Sequence, residues 1–278
     1  MVARKQIKMQ VIVLIAGILS LFQAHSQVVE FVTDFGKIKV KLYKDTPIHT
    51  ANFIKNVKDG KYNGVLFHRV IKDFMIQSGD PNSVKAKQGE VLGADISKFQ
   101  LDPEFTPNHY HKKLALAAAR QPDQVNPKKK SSQYQFYIVC GRIYTKPMLK
   151  TLENNQNRPK RYKVADSLLI IDKNYTTKKQ LDSLMKIKDY KTADKIFDQM
   201  KPQTDSIIGL KNLLFFTSQQ IEDYTTIGGV PNLDNKYTVF GEVFEGAEYV
   251  EMIAGVPVDD HDRPLNDVHV VKATVIEE

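Results

Sequence analysis

Between Ile143 and Ile227 the chain changes texture, and that change limits the fold more than any single motif. On either side of it, short apolar runs are separated by turn residues. Inside it, lysines are interleaved with apolar residues at three- and four-residue steps: Leu181, Leu184 and Met185, then Ile196, Phe197 and Met200. Such steps put side chains on one face of a helix, whereas a strand alternates with a period of two. The flanks therefore predict a β protein. The middle predicts an α-helical insertion at about 144–226, with Thr177 capping one helix and Pro202 ending another.

The strands are read from their alternation. In VVEFVTDFGKIKVKLY (28–43), Ile38, Val40 and Leu42 alternate with lysines, and Asp34-Phe35-Gly36 supplies a hairpin turn. Pro47 then suits the start of a helix that runs through Ile48, Ala51, Ile54 and Val57 and stops near Gly60. VLFHRVI, FMIQSGD, QFYIVCG, YTVFGEVFEG and HVVKATVIEE read as strands, and GAEYVEMIAGV as a short helix. LALAAA reads as a strand, although its alanines alone also suit a helix. Many strands with only two short helices indicate an all-β barrel or sandwich.

Arg4, Lys5 and Lys8 precede the uncharged run VIVLIAGILSLF, and Ala24-His25-Ser26 follows it. This is the outline of a secretory signal peptide over 1–26, with 27–278 as the mature domain. The apolar run falls short of the roughly 20 residues that span a bilayer. Export to a bacterial periplasm is expected; anchoring to the inner membrane by an uncleaved segment is the alternative. Residues 144–226 carry 15 Lys and Arg against 10 Asp and Glu, while the rest of 27–278 carries 22 of each. The surplus charge thus lies wholly in the insertion. A solvated helical face is the simplest reading, and a docking surface for an acidic partner or a membrane surface is the other. The insertion has no basic stripe interleaved with aromatics, which together with export argues against nucleic acid. The single cysteine, Cys140, lies in the apolar run YIVCG and reads as a buried, inert thiol.

Most chemistries lack their residues. His109 and His111 stand two apart with no third ligand at a persuasive spacing, so no metal site is expected. There is no nucleophile elbow, phosphate loop or dinucleotide fingerprint. His261, in DDHDRP, reads as part of a solvated acidic turn. What remains is FHRVIKDFMIQSGD (67–80). Taken alone, its His68 is a core histidine and its Arg69 a surface charge. Taken together, its arginine, Phe-Met pair and glutamine suit one reaction that needs neither nucleophile nor cofactor: rotation about an X–Pro bond. That rotation faces a barrier of roughly 18–20 kcal/mol because the C–N bond is partly double. In the twisted state the prolyl nitrogen becomes pyramidal and more basic. A guanidinium that donates to it stabilises the twisted state more than the planar one.

FHRVIKDFMIQSGD resembles the signature of the cyclophilin-type peptidyl-prolyl cis-trans isomerases, F-H-R-[IV]-I-x-x-F-[MV]-[IC]-Q-G-G-D. LALAAAR, NPKKKSSQYQFYIV and LDNKYTVFGEV follow in that family's order, so the resemblance covers about 28–142 and 228–278. It implies a closed eight-stranded antiparallel barrel capped by two helices, with the site on its outer surface, no cofactor, a monomer, and unfolded or proline-containing polypeptides as substrates. By motif position Arg69 is the catalytic guanidinium, His68 flanks it, and Gln77 bonds the substrate backbone. Phe74, Met75, Tyr137 and Leu233 line the proline pocket. Ala119 pairs with substrate through its backbone, with Arg120 next to it. Gln135 orders the site, and Tyr237 stands where eukaryotic members carry histidine.

Three departures stand out. Ser78 replaces the first glycine of Q-G-G-D and is expected to be strained if that glycine sits at positive φ. Gln133-Tyr134 replaces a Gly-Ser pair beside the pocket. Asn232 stands where eukaryotic members carry tryptophan, so weak cyclosporin binding is expected. The resulting expectation is an isomerase that assists folding of exported proteins. The alternative is a proline-segment binding module or chaperone on the same scaffold with little turnover.

Overall fold

The computed structural model describes residues 27–94, 100–171 and 174–276; the segment read as a leader, 1–26, lies outside the described residues. The chain divides into two compact units. One comprises the described residues up to 109, 114–140 and those from 235 onward; the other comprises 110–113 and 141–234.

The first unit contains β1 (Val28–Thr33), β2 (Lys37–Leu42), α1 (Pro47–Lys58), β3 (Val65–Leu66), β4 (Arg69–Ile71) and β5 (Met75–Ser78). It continues with β6 (Gln100–Leu101), β7 (Ala115–Ala118), β8 (Ser131–Ser132) and β9 (Phe136–Val139), and ends with β10 (Val239–Glu245), a helix at Ala247–Ala254 and β11 (His269–Ile276). LALAAA is thus a strand. β6 and β8 pair by themselves. The other strands form one nine-stranded antiparallel sheet in the order β3-β11-β1-β2-β10-β7-β9-β5-β4.

The expected closed eight-stranded barrel is therefore corrected to a nine-stranded sheet with two edges. The edges, β3 and β4, are separated by only Phe67 and His68. There the ladder changes partner: Val65 and Leu66 pair with β11, whereas Arg69–Ile71 pair with β5. Four consecutive buried residues, Val65 to His68, interrupt the alternation that would mark one continuous strand.

Alternation builds the core. In the β1–β2 hairpin, Phe31 faces Ile38 and Val29 faces Val40, all buried, while Lys37 and Lys41 point to solvent. Phe53 of α1 packs at the centre, edge-on to Phe136 and Phe240 at centroid distances of 5.3 and 5.1 Å. Glu104 caps α1 from a distant loop, its carboxylate accepting the N–H groups of Ile48 and His49, each at 2.9 Å. Cys140 is buried in this core.

The second unit is helical: α2 (Lys146–Leu169), α3 (Tyr175–Lys186), α4 (Tyr190–Gln199), α5 (Lys201–Ile208) and α6 (Ser218–Thr226); the helix at Ala247–Ala254 is therefore α7. Two expected boundaries shift. Asn174, not Thr177, occupies the position before α3. Pro202 lies in the first turn of α5, where its missing N–H costs no helical bond, rather than ending α4. Leu169, Leu181, Ala193 and Ile196 form one small core and Tyr144, Leu149, Phe216 and Tyr224 another. The buried Asp234 accepts the Tyr224 hydroxyl at 2.7 Å and both the backbone N–H and Nδ1 of His111 at 2.9 Å. His109 lies in the other unit, stacked on Tyr43 and bonded to Asp45. No described helix is long and apolar enough to cross a membrane.

Candidate active site

The register of four strands assembles the site. Arg69 on β4 pairs with Gln77 on β5, Gln77 with Tyr137 on β9, and Tyr137 with Ala117 on β7. These four residues lie in one row on one face of the sheet. The neighbouring row, Val70, Ile76, Ile138 and Leu116, points into the core. With a period of two, burying the second row forces the first outward. Met75 shares the outward face and pairs with Val139; both Met75 and Tyr137 are buried there, which gives this face an apolar floor.

A cavity of about 200 Å³ opens beside the row. His68, Arg69, Gln77, Ala119, Arg120 and Gln135 line it, together with Leu92, Gly93, Gln121 and Ser132. Six of the residues expected from the sequence thus converge. Met75, Tyr137 and Tyr237 lie outside the lining. Phe74, half-buried, is the last residue of the turn before β5 and is also outside it. Leu233 belongs to the helical unit, where it ends a short 3₁₀ turn.

The polar groups are connected. Gln77 Nε2 donates to Gln135 Oε1 at 2.8 Å, and Gln135 Nε2 donates to the Gly93 carbonyl at 3.2 Å. This chain fixes the Gln77 amide and leaves its Oε1 without a hydrogen-bond partner among the described residues. Arg69 donates through Nε to Asp262 Oδ2 at 3.2 Å; among the described residues its two terminal amino groups take no hydrogen-bond partner.

Ala119 and Arg120 differ in how their backbones are engaged. The Ala119 N–H donates to Gln135 and its carbonyl accepts from Ser132, so its backbone is already engaged. The backbone N–H and carbonyl of Arg120 have no such partners among the described residues and offer the open backbone edge. The Arg120 side chain is a strut: Nε donates to the Lys236 carbonyl, Nη1 pairs with Asp123, and the guanidinium lies 4.4 Å above the Tyr237 ring. Tyr237 in turn meets Tyr137 edge-on at 5.9 Å.

Ser78 is not strained. It is the last residue of β5, has no positive φ, and donates its buried hydroxyl to the Leu66 carbonyl at 2.9 Å. The positive φ falls on Gly79, at 92°. Ser78 thus ties β5 to β3, adding a bond that glycine lacks.

His68 is buried, and neither ring nitrogen has a hydrogen-bond partner among the described residues. Burial pushes its pKa down to about 4, against the opposing charge of Asp80, so the ring is neutral at pH 7. The unfolded chain, with an ordinary histidine pKa, takes up a proton that the folded chain refuses. Stability is therefore intact above about pH 6.5 and falls as pH drops toward 4, by about 3 kcal/mol for this group. Urea unfolding at pH 7 and pH 4.5 checks this: the loss between the two should shrink in His68→Gln. An equal loss in both proteins would assign the acid sensitivity elsewhere.

Sequence reasoning missed Leu92, Gly93, Gln121, Ser132 and Asp262. Asp262 is 193 residues from Arg69 and sits in a stretch that reads as a solvated turn.

Comparison with known proteins agrees with this geometry. The family model for the cyclophilin type peptidyl-prolyl cis-trans isomerases matches residues 28–158 and 162–275. A protein of Staphylococcus saprophyticus, provisionally named as a peptidyl-prolyl cis-trans isomerase, is 26% identical over 246 residues, covering 88% of this chain and 89% of its own. A counterpart so named in Staphylococcus aureus is 28% identical over 247 residues, with the same coverage. Among solved structures, a cyclophilin type isomerase of Cryptosporidium parvum superposes with a TM-score of 0.51 at 17% identity, over 91% of this chain and 99% of that one. The same protein solved in the presence of the dipeptide Ala-Pro gives 0.50. The outward row, the cavity beside it and a family match over most of the chain lead to one conclusion: this chain belongs to the cyclophilin type peptidyl-prolyl cis-trans isomerases.

Proposed function

We propose that this isomerase catalyses X–Pro rotation with Arg69 as its guanidinium and that its substrates are exported polypeptides during folding. The observation that carries the site assignment is the single cross-strand row. It holds the amino groups of Arg69, which have no partner among the described residues, next to the Gln77 acceptor, with the Tyr137 ring and the buried Met75 beside them. A proline ring packs on that apolar floor. The substrate backbone pairs with the open edge at Arg120 and with Gln77 Oε1. Arg69 donates to the prolyl nitrogen as the amide twists and its lone pair localises, which stabilises the transition state selectively.

The binding-module alternative draws on Ser78 and on Tyr134; the buried Ser78–Leu66 bond speaks against strain at the first and leaves the second as its support. The export reading rests on the sequence of residues 1–26. N-terminal sequencing of the protein from its native envelope should begin at Gln27. A protein that starts at Met1 and stays with the membrane fraction would instead be an anchored isomerase. The basic insertion is proposed as a docking surface for acidic partners, which a salt-sensitive gain in rate on acidic over neutral clients would support.

A further inference from the structure

We infer that Asp262 is a positioning residue: its carboxylate holds the Arg69 side chain by Nε and so aims the two terminal amino groups at the substrate. The inference rests on the reading of Arg69 as the catalytic guanidinium.

An arginine on the open face of a strand has four side-chain torsions and loses most of their freedom only where something grips it. Arg69 is about half exposed along its side chain, and among the described residues the bond that grips it is Nε–H to Asp262. Engaging Nε, rather than a terminal amino group, leaves the outer fork of the guanidinium for the substrate. The rotation of that fork is then fixed by where Asp262 stands.

The loop that carries Asp262 is built to hold it there. Asp262 adopts a left-handed backbone, φ 63°, which aspartate tolerates better than most residues. Its carbonyl accepts the N–H of Val70, the residue after Arg69, at 2.8 Å, and its own N–H donates to the Asp259 carbonyl at 3.1 Å. Asp259 Oδ1 accepts the N–H groups of His261 and Arg263, closing the turn on both sides. Arg263 is buried. It forks onto both carboxylate oxygens of Asp267 and donates to the carbonyls of Lys87 and Glu90. Those carbonyls lie just before Leu92 and Gly93, which line the cavity. One buried guanidinium therefore braces both the loop that holds Arg69 and the segment leading to Leu92 and Gly93.

A carboxylate beside a catalytic cation has two effects of opposite sign. It fixes the guanidinium, and its charge weakens the guanidinium as a donor. Asparagine separates them: Asp262→Asn keeps an oxygen acceptor and the tolerance of left-handed backbone but removes the charge. Asp262→Gly relieves the backbone and removes the acceptor. If position is the role, Asp262→Asn should keep kcat within about threefold of the parent on an X–Pro peptide. Asp262→Gly should lose kcat by roughly 10- to 100-fold with little change in KM.

The experiment is steady-state and equilibrium-exchange kinetics on the full mature chain and the variants Asp262→Asn, Asp262→Gly and Arg69→Ala. NMR of the Arg69 Nε–H in the unmutated protein goes with it. A slowly exchanging, dispersed Nε–H signal that survives in Asp262→Asn supports the proposal. An Nε–H that exchanges like that of free arginine in the unmutated protein overturns it, whatever the variants do. Asp262→Gly with parental kcat, or both Asp262 variants falling together, also overturns it. If Arg69→Ala retains activity, the assignment of the catalytic guanidinium itself fails and the positioning role falls with it. If Arg69→Ala loses activity while Asp262→Gly does not, only the positioning role is lost.

Discussion

Arg69→Ala should lower kcat/KM for an X–Pro peptide by about 10²- to 10³-fold, the usual cost of removing a preorganised donor aimed at developing charge. Its melting temperature should move by no more than about 2 °C, because the side chain is half exposed and its ion pair is a surface one. The contrast between the two measurements is the informative part. Arg69→Lys should recover little of the rate. A lysine has no Nε to hold and no rigid fork to present, so its ammonium reaches the prolyl nitrogen only from a mobile stem. Near-parental activity in Arg69→Ala would remove the guanidinium from the mechanism. Most of the row on this face would then serve binding alone.

A large effect on stability is expected two residues beyond Gln77. Gly79 sits at φ 92°, and a Cβ added there would stand 2.4 Å from the Tyr134 carbonyl oxygen and 3.1 Å from the Gln135 Cα. Both obstacles are backbone, so neither can swing aside. Gly79→Ala should cost about 3 kcal/mol from strained φ and steric overlap together. For a chain of this size that is a fall of roughly 6–12 °C in melting temperature. It should also disturb activity, because Gln135 holds the Gln77 amide. Gly89 is the control: it has a similar φ of 83° but nothing within 4 Å of an added Cβ. Gly89→Ala should cost only about 1 kcal/mol. Ser78→Gly, a change toward the family signature, should destabilise by about 1–2 kcal/mol through loss of the buried bond to Leu66. A stabilised Ser78→Gly would mean that the serine is strained after all.

Features that depend on nearest neighbours were legible in the sequence. The alternation at 38–42, the helix after Pro47 and the helical texture of 144–226 are all written within a dozen residues, and each element is present. The convergence of His68, Arg69, Gln77, Ala119, Arg120 and Gln135 on one cavity followed from motif resemblance. What could not be read was the pairing of distant groups. Nothing local distinguishes Asp262 from any other acid in a polar turn. Nothing in Ala119-Arg120 says that the arginine side chain will lean on Tyr237 and leave its backbone open. Leu233 is assigned by its place in a motif, and the turn that carries it belongs to the helical unit. The strand count failed for a different reason. Val65 to His68 are all buried, so hydropathy runs straight through the point where the hydrogen-bond ladder ends and begins again.

That break has a consequence for how the site breathes. Phe67 and His68 belong to neither edge strand, and the backbone there is held by single bonds: Phe67 N–H to the Val268 carbonyl, and Val70 N–H to the Asp262 carbonyl, both at 2.8 Å. Sheet continuity at this place is carried by covalent bonds instead of a ladder. Isotope exchange at these two amides should therefore run ahead of exchange at Ile76 and Ile138 in the sheet interior. Each opening of the Val70 amide lifts away the loop that holds Arg69. The protection factor of one amide would then report, without any substrate present, the fraction of time the guanidinium is out of aim.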